Sequence, residues 1–331
     1  MVFTRSFLVA AACTLPLSLV ACGGSGEDGD TQPTPEGTHY GFVVSKASVP
    51  ATTKAAADFG LDLGAPKSGT PDGTVDNRLG ELLGTLAMMK FDIQGTIDKA
   101  INEGSIILLV DFQTQSFMSA SAAGFSVKLG ANPMPAACSG TGTGQTCGQH
   151  LKGTASFSLD PKSPTDALVS GKIVNGTFNG GPGDLTLQIV LGTPVPITLS
   201  LLKARAKATE ISDAGMTVTV GGALTITDLN SQVIPVIKDQ IAGLLDRDCG
   251  TTRALPNCGC PAGSTGETLL NLFDGSITGM AKDCNISADE IQQSPILKSL
   301  LSPDVCSTKS CPAPDAVSLG IKVTTVKATI N

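Results

Sequence analysis

The chain has 331 residues, with 22 Lys and Arg against 29 Asp and Glu and a formal net charge of −7. It has no Trp, one Tyr and no basic stripe, which excludes nucleic acid as a partner. Charged residues make up 15% while Gly alone numbers 38, the composition of a β-rich exported protein and not of a helical cytosolic enzyme.

Arg5 supplies the charged start of a signal peptide. Phe7 to Val20 form its apolar stretch, too short to cross a bilayer as an anchor helix. The stretch ends in "LVAC", Leu19 to Cys22. These four residues resemble the lipobox of bacterial lipoproteins: Leu, a small apolar residue, Ala, then the Cys that takes the lipid. The resemblance implies that residues 1–21 are a cleaved signal peptide and that Cys22 becomes the acylated, palmitate-bearing N-terminus. Gly23 stands where some bacteria use Asp to retain lipoproteins at the inner membrane. By the same resemblance the protein belongs at the outer membrane, facing the periplasm or the surface. Residues 22–38 contain "GGSGEDGDTQPTPEG", which cannot bury a core and reads as a flexible tether.

Residues 39–331 read as a single β-rich domain. "HYGFVVSKASV" is its first strand. In "DGTVDNRLGELLGTLAMM", Leu79, Leu82, Leu83 and Leu86 follow helical spacing, with Asp76 as the predicted N-cap. In "DIQGTIDKAINEG", Asp92 caps a second helix, Ile93, Ile97 and Ile101 form its stripe, and Gly104 stops it. "SIILLVDF" is a continuous apolar run, which predicts a strand buried on both faces. From there to about residue 227 the period is two: Phe125, Val127 and Leu129, then Ala155, Phe157 and Leu159, then Leu185, Leu187, Ile189 and Leu191. In "PITLSLLKARAKA" the pattern slips by one residue between Leu201 and Leu202, predicting a β-bulge. "VSLGIKVTTVKATI" slips in the same way between Val323 and Val326. Long, bent antiparallel strands predict a mainly β (α+β) fold, a sandwich or open barrel.

A small helical, Cys-rich insert occupies residues 229–312. Val233, Ile237, Ile241 and Leu244 share one helical face, Pro235 must sit in the first turn, and "ETLLNLF" is a second short helix. Eight cysteines remain once Cys13 leaves with the signal and Cys22 takes the lipid: Cys138, Cys147, Cys249, Cys258, Cys260, Cys284, Cys306 and Cys311. An even number in an exported protein reads as four disulfides. Cys138–Cys147 and Cys306–Cys311 close short loops, and the other four pair among themselves, most simply with Cys284 reaching back to the "CGTTRALPNCGC" loop. The rival is a zinc site. There is no C-x-x-C, and His39 and His150 lie far from the cluster in sequence, so disulfides are favoured.

The insert also contains "KDCNISADEI", which resembles the back half of an EF-hand calcium loop. With Glu290 at the twelfth position, Ile286 falls on the apolar eighth, Ser287 on the ninth, Asn285 on the seventh and Asp283 on the fifth. The first and third positions, Gly279 and Ala281, carry no oxygen, and the sixth, normally Gly, is Cys284. Calcium takes six to eight oxygens, so the lost ligands remove most of the affinity. The same letters fit a capping box, Ser287 with Glu290, in a loop held by a disulfide at Cys284. That structural reading is the stronger. The last third of the chain further resembles segments of uncharacterised exported proteins of myxobacterial type, a resemblance that implies no activity. Asp72 and Asp76 in "DGTVDN" are a second candidate for calcium, against a plain turn followed by a helix cap. Calcium is the one cofactor these residues suggest.

No catalytic residue is indicated. The chain has two His and lacks H-E-x-x-H, G-x-S-x-G and the phosphate-binding Gly loops. Lys203, Arg205 and Lys207 form a basic row that reads as a solvated outer face. The expectation is a non-enzymatic outer-membrane lipoprotein, a structural or binding module that meets envelope protein, glycan or lipid. The alternatives are a carrier of lipid or another amphiphile, with a pocket between sheet and helices, and an EF-hand-type calcium-binding protein.

Overall fold

A computed structural model describes residues 32–331 apart from 66, 67, 69, 166, 190–195 and 278. The signal segment, Cys22, the tether as far as residue 31 and Leu191 lie outside the described residues.

Eight long strands close into an antiparallel barrel: β1 (Thr38–Ser48), β2 (Leu108–Thr114), β3 (Ala120–Met134), β7 (Leu168–Val174), β8 (Thr177–Ile189), β9 (Ile197–Thr209), β10 (Thr217–Thr225) and β11 (Ala316–Lys327). The order around the wall is β3-β2-β1-β11-β10-β9-β8-β7, and β7 pairs back onto β3 to close it. The fifteen-residue β3 does double duty. Its first half pairs β7, and its end pairs β6 (Ser156–Leu159), beside which β12 (Thr329–Ile330) runs parallel. Two two-residue strands, β4 (Cys138–Ser139) and β5 (Thr146–Cys147), form a small separate hairpin.

Eight strands enclose a space that side chains can just fill. Here Phe42, Phe112, Phe125 and Phe178 are completely buried at its centre, with Phe178 edge-on to Phe112 at 5.3 Å between centroids. The predicted two-faced strand is β2. Leu108, Val110 and Phe112 join the interior, while Leu109, with Ile107 just before the strand, packs outward in a second cluster with Val43, Phe157 and Ala328 under β6 and β12. The slip in β9 is a bulge. Leu199 and Leu201 face in, Lys203 takes φ 51°, and Ala204, Ala206 and Ala208 resume the inward face, with the register against β10 shifting between Gly221 and Ala223. At the slip in β11 the register against β1 shifts between Thr325 and Thr324, and the extra residue is Ser45 of β1, so the irregularity lies where it is expected but on the partner strand. The register against β10 is unbroken from Thr324 to Ala316, and Val326 is apolar because it packs on the outer cluster.

The barrel has two unlike ends. At one, the connections are short: residues 115–119, 175–176 and 210–216, beside the start of β1. At the other sit the longer helices. A 3-10 helix (Thr53–Phe59), α1 (Arg78–Met88) and α2 (Ile93–Glu103) lie between β1 and β2. Between β10 and β11 come α3 (Ile226–Asp228), a π-helical turn (Leu229–Val233), α4 (Ile234–Cys249), α5 (Thr265–Phe273), α6 (Ala288–Gln293) and α7 (Pro295–Leu300). Asp92 caps α2 and Gly104 ends it at φ 74°, while Pro235 sits in the first turn of α4. The buried stripe of α4 runs through Ile237, Ile241 and Leu245, so Leu244, predicted inward, is one residue off. The N-cap of α1 is Asn77 and not Asp76. The position is buried between α1 and β11 and needs both chemistries of an amide. Oδ1 accepts from Gly80 and Gly320 N–H, and Nδ2 donates to the Ala56 and Gly320 carbonyls, which a carboxylate cannot do.

Candidate functional site

The structure pairs the eight cysteines as Cys138–Cys147, Cys249–Cys260, Cys258–Cys284 and Cys306–Cys311. All four bridges lie at the helical end. Cys249 ends α4, so the two middle bridges tie that helix through residues 258–260 to the EF-hand-like loop.

Within that loop the candidate ligands point to protein donors. Glu290 is buried. Its Oε1 accepts from Gly275 N–H at 2.8 Å, and its Oε2 accepts from Ser287 N–H and Oγ–H, both at 2.9 Å. Ser287 Oγ in turn accepts from Glu290 N–H, completing the capping box of α6. Asp283 accepts from Asn285 N–H. Asn285 Oδ1 receives the guanidinium of Arg253, which also donates to the Cys284 and Gly250 carbonyls and to Asp246. Sequence reasoning missed Arg253, whose partners are 31 and 32 residues away at Cys284 and Asn285. Asp274, which the sequence offers as a further carboxylate near the loop, is buried with both oxygens accepting backbone N–H, from Asp283 and Cys284. Among the described residues, the one group of three metal-type side chains with ligand atoms mutually within 4.8 Å is Cys258, Asp274 and Cys284. Its two sulfurs are bonded to each other and offer no thiolate.

The second candidate is not assembled around a centre either. Asp72 is exposed and accepts from Thr74 N–H, and Asp76 accepts from Leu63 N–H at 2.8 Å. Asp62, unnoticed in the sequence, accepts from Gly64 and Gly73 N–H. Burial pushes the Asp76 carboxyl up to about 6. The Leu63 N–H opposes that shift, and the charges of Asp304, Asp62 and Asp72 add to it. Burial also raises Asp304, whose carboxylate holds Ser318 N–H and hydroxyl while Ser318 Oγ accepts from Arg78 N–H at the start of α1. These acids pin α1 to β11.

Two cavities bear on ligand binding. An apolar one of about 30 Å³ lies between the barrel and its first two helices, lined among others by Val44, Leu83, Ile97, Ile101, Leu108 and Leu319. A polar groove of about 660 Å³ runs along the outer wall beside β12. Its charges are largely paired: His39 Nδ1 lies 2.9 Å from Asp111 Oδ1, and Lys327 lies 3.7 Å from Asp213. His150 is completely buried, edge-on to Phe157, and neither ring nitrogen has a well-formed hydrogen bond. Burial lowers its pKa, against an interaction with the Ile101 backbone. The basic row is split by the bulge: Lys203 and Arg205 are half-buried, and Lys207 is exposed. No protein-family model matches the chain, and none of the curated proteins and none of the solved structures compared with it matches.

Proposed function

We propose that the protein is an outer-membrane lipoprotein anchored through Cys22 that serves as a structural or binding module of the cell envelope. The observation that carries the choice of module over carrier is the filled barrel. Four phenylalanine rings occupy its centre, and the apolar cavity under the helices measures about 30 Å³. Ligand sites run from roughly 300 Å³ upward, and a cavity of about 30 Å³ has room for a water or two. The outer groove of about 660 Å³ is the surface best suited to contact an envelope polymer or protein. This reading assigns the chain no catalytic step. It is tested by the mass of the mature N-terminal peptide. A diacylglyceryl Cys22 is expected, with Cys22→Ala releasing the protein from the membrane fraction. An unmodified N-terminus elsewhere would overturn the anchor. Stoichiometric amphiphile extracted from the purified soluble domain would favour the carrier.

A further inference from the structure

We propose that the turn end of the barrel lies on the surface of a phospholipid bilayer, so that the helical, disulfide-bearing end points away from the membrane. The inference rests on the Cys22 anchor and adds an orientation to it.

The rim of the turn end is apolar at its tip. Met118 is 67% exposed and Val174 59% exposed, on adjacent turns joined by the Gly176 N–H to Met118 carbonyl bond of 2.9 Å. The β7–β8 turn is rigid. Asn175 and Gly176 take φ 50° and 74°, the two-residue geometry that matches the twist of a hairpin. Behind Met118, Phe117 is half-buried against Tyr40, with ring centroids 4.6 Å apart. One step back along the outer face comes a cationic row. Lys172 pairs with Asn179, and Asn179 pairs with Lys207. Side chains of one face recur every second residue, so this row stands about 7 Å behind the rim. Both lysines are exposed and neither makes an ion pair among the described residues. An apolar tip with ammonium groups about 7 Å behind it matches the layering of a bilayer surface, where acyl chains lie beneath phosphates. Of the acids at this end, Asp213 pairs with Lys327, while Glu36 and Glu210 accept from the neutral Gln115 and Thr217 and keep their charge.

The chain's own path fits this placement. Gln32 is held on the outer wall by its bond to the Gly181 carbonyl, and Glu36 meets Gln115 in the 115–119 turn. Cys22 precedes Gln32 by ten residues, a reach of up to about 35 Å.

The chain has no Trp, so Met118→Trp and Leu255→Trp each give a single emitter, the second at the exposed helical end. Each full-length, acylated variant is reconstituted into phosphatidylcholine vesicles, with and without phosphatidylglycerol, using acyl-brominated lipid as quencher. The Met118→Trp indole should lose at least half its emission and shift to the blue, while the Leu255→Trp indole is unaffected. Lys172→Glu with Lys207→Glu should reduce that quenching, most strongly in the anionic vesicles. Equal quenching of both indoles, or of neither, in protein whose intact mass confirms acylation would overturn the orientation and leave the anchor standing. Loss of acylation itself would overturn the anchor and this inference with it.

Discussion

The two ends of the barrel are held by different physics. At the turn end, the ladders run into turns of two to seven residues, and no disulfide lies there among the described residues. Side chains of the strands and their turns, such as Phe178 and Met216, bury what needs burying. At the helical end, about ninety residues between β10 and β11 form helices that join the main core from Leu229 to Leu301, and they also carry three of the four bridges. They also hold buried carboxylates, Asp274 and Glu290, wholly committed to local donors. A closed ladder needs only apolar filling, whereas an insert of short helices needs covalent and polar staples.

The sharpest way to break that comparison is to remove the staple in the middle of the insert. Replacing Cys258 and Cys284 together by Ser should cost about 2–4 kcal/mol, typical for a bridge. Hydrogen exchange should then rise through α5 and α6 while β1 to β3 keep their protection. Equal loss of protection in the barrel would show that the two ends are one cooperative unit.

Next in size is Glu290→Gln. Either Gly275 N–H or both donors on Ser287 would face an amide N–H in place of an oxygen. The expected cost is roughly 1–3 kcal/mol by denaturant midpoint. A change within error would mean that the capping box does not hold the insert.

Much of this division is visible in the residues, and some is not. "SIILLVDF" announces a strand with two apolar faces, and the phase slip at Leu201–Leu202 announces the β9 bulge, because both are local consequences of a period of two. The same slip at Val323–Val326 announces an irregularity but not its strand: the extra residue is Ser45 of β1, and Val326 is an outward apolar residue under a second layer. Barrel closure depends on β3 pairing β7, about fifty residues on, and no local period encodes that. At the candidate site, Asp283, Asn285, Ser287 and Glu290 were legible as oxygen carriers. Which way each oxygen points was settled by Arg253, Asp274 and the Gly275 N–H, whose nearness only the fold creates. Asp76 was read as a cap for the same reason: the need for a donor as well as an acceptor at Asn77 arises from β11.

A smaller effect should appear at the junction of α1 with the barrel. The Asp76 carboxyl titrates near 6 in the fold against an ordinary 3.8. Between those values the folded state holds a proton that the unfolded state has lost, so stability present below about pH 4 is lost as pH rises through about 6. Asp76→Asn keeps an oxygen for Leu63 N–H and carries no charge. It should match the parent near pH 4 and exceed it at pH 7, by on the order of 1 kcal/mol once screening at this half-exposed site is allowed for. A variant that is less stable at pH 7 would show that the carboxylate is satisfied there, as it would be by a bound cation.

The smallest expected effect is that of calcium, and it decides whether the insert is stapled by the chain alone. A cation that binds only the folded state stabilises it by RT ln(1 + [L]/Kd), so even a millimolar site would give about 0.4 kcal/mol at equal calcium, a shift of about 1 °C in Tm. Asp283 and Glu290 of the EF-hand-like loop already receive hydrogen bonds from protein donors, and the Arg253 guanidinium lies against Asn285. To take calcium, Glu290 would have to release three donors and uncap α6, a cost set against any ligand gained. Millimolar calcium should therefore leave Tm within about 1 °C of its value in chelator, in the parent and in Glu290→Gln alike. A rise of several degrees in the parent, abolished in Glu290→Gln, would mean that the loop trades its capping box for a metal, and that the helical end is held by an ion as well as by its bridges.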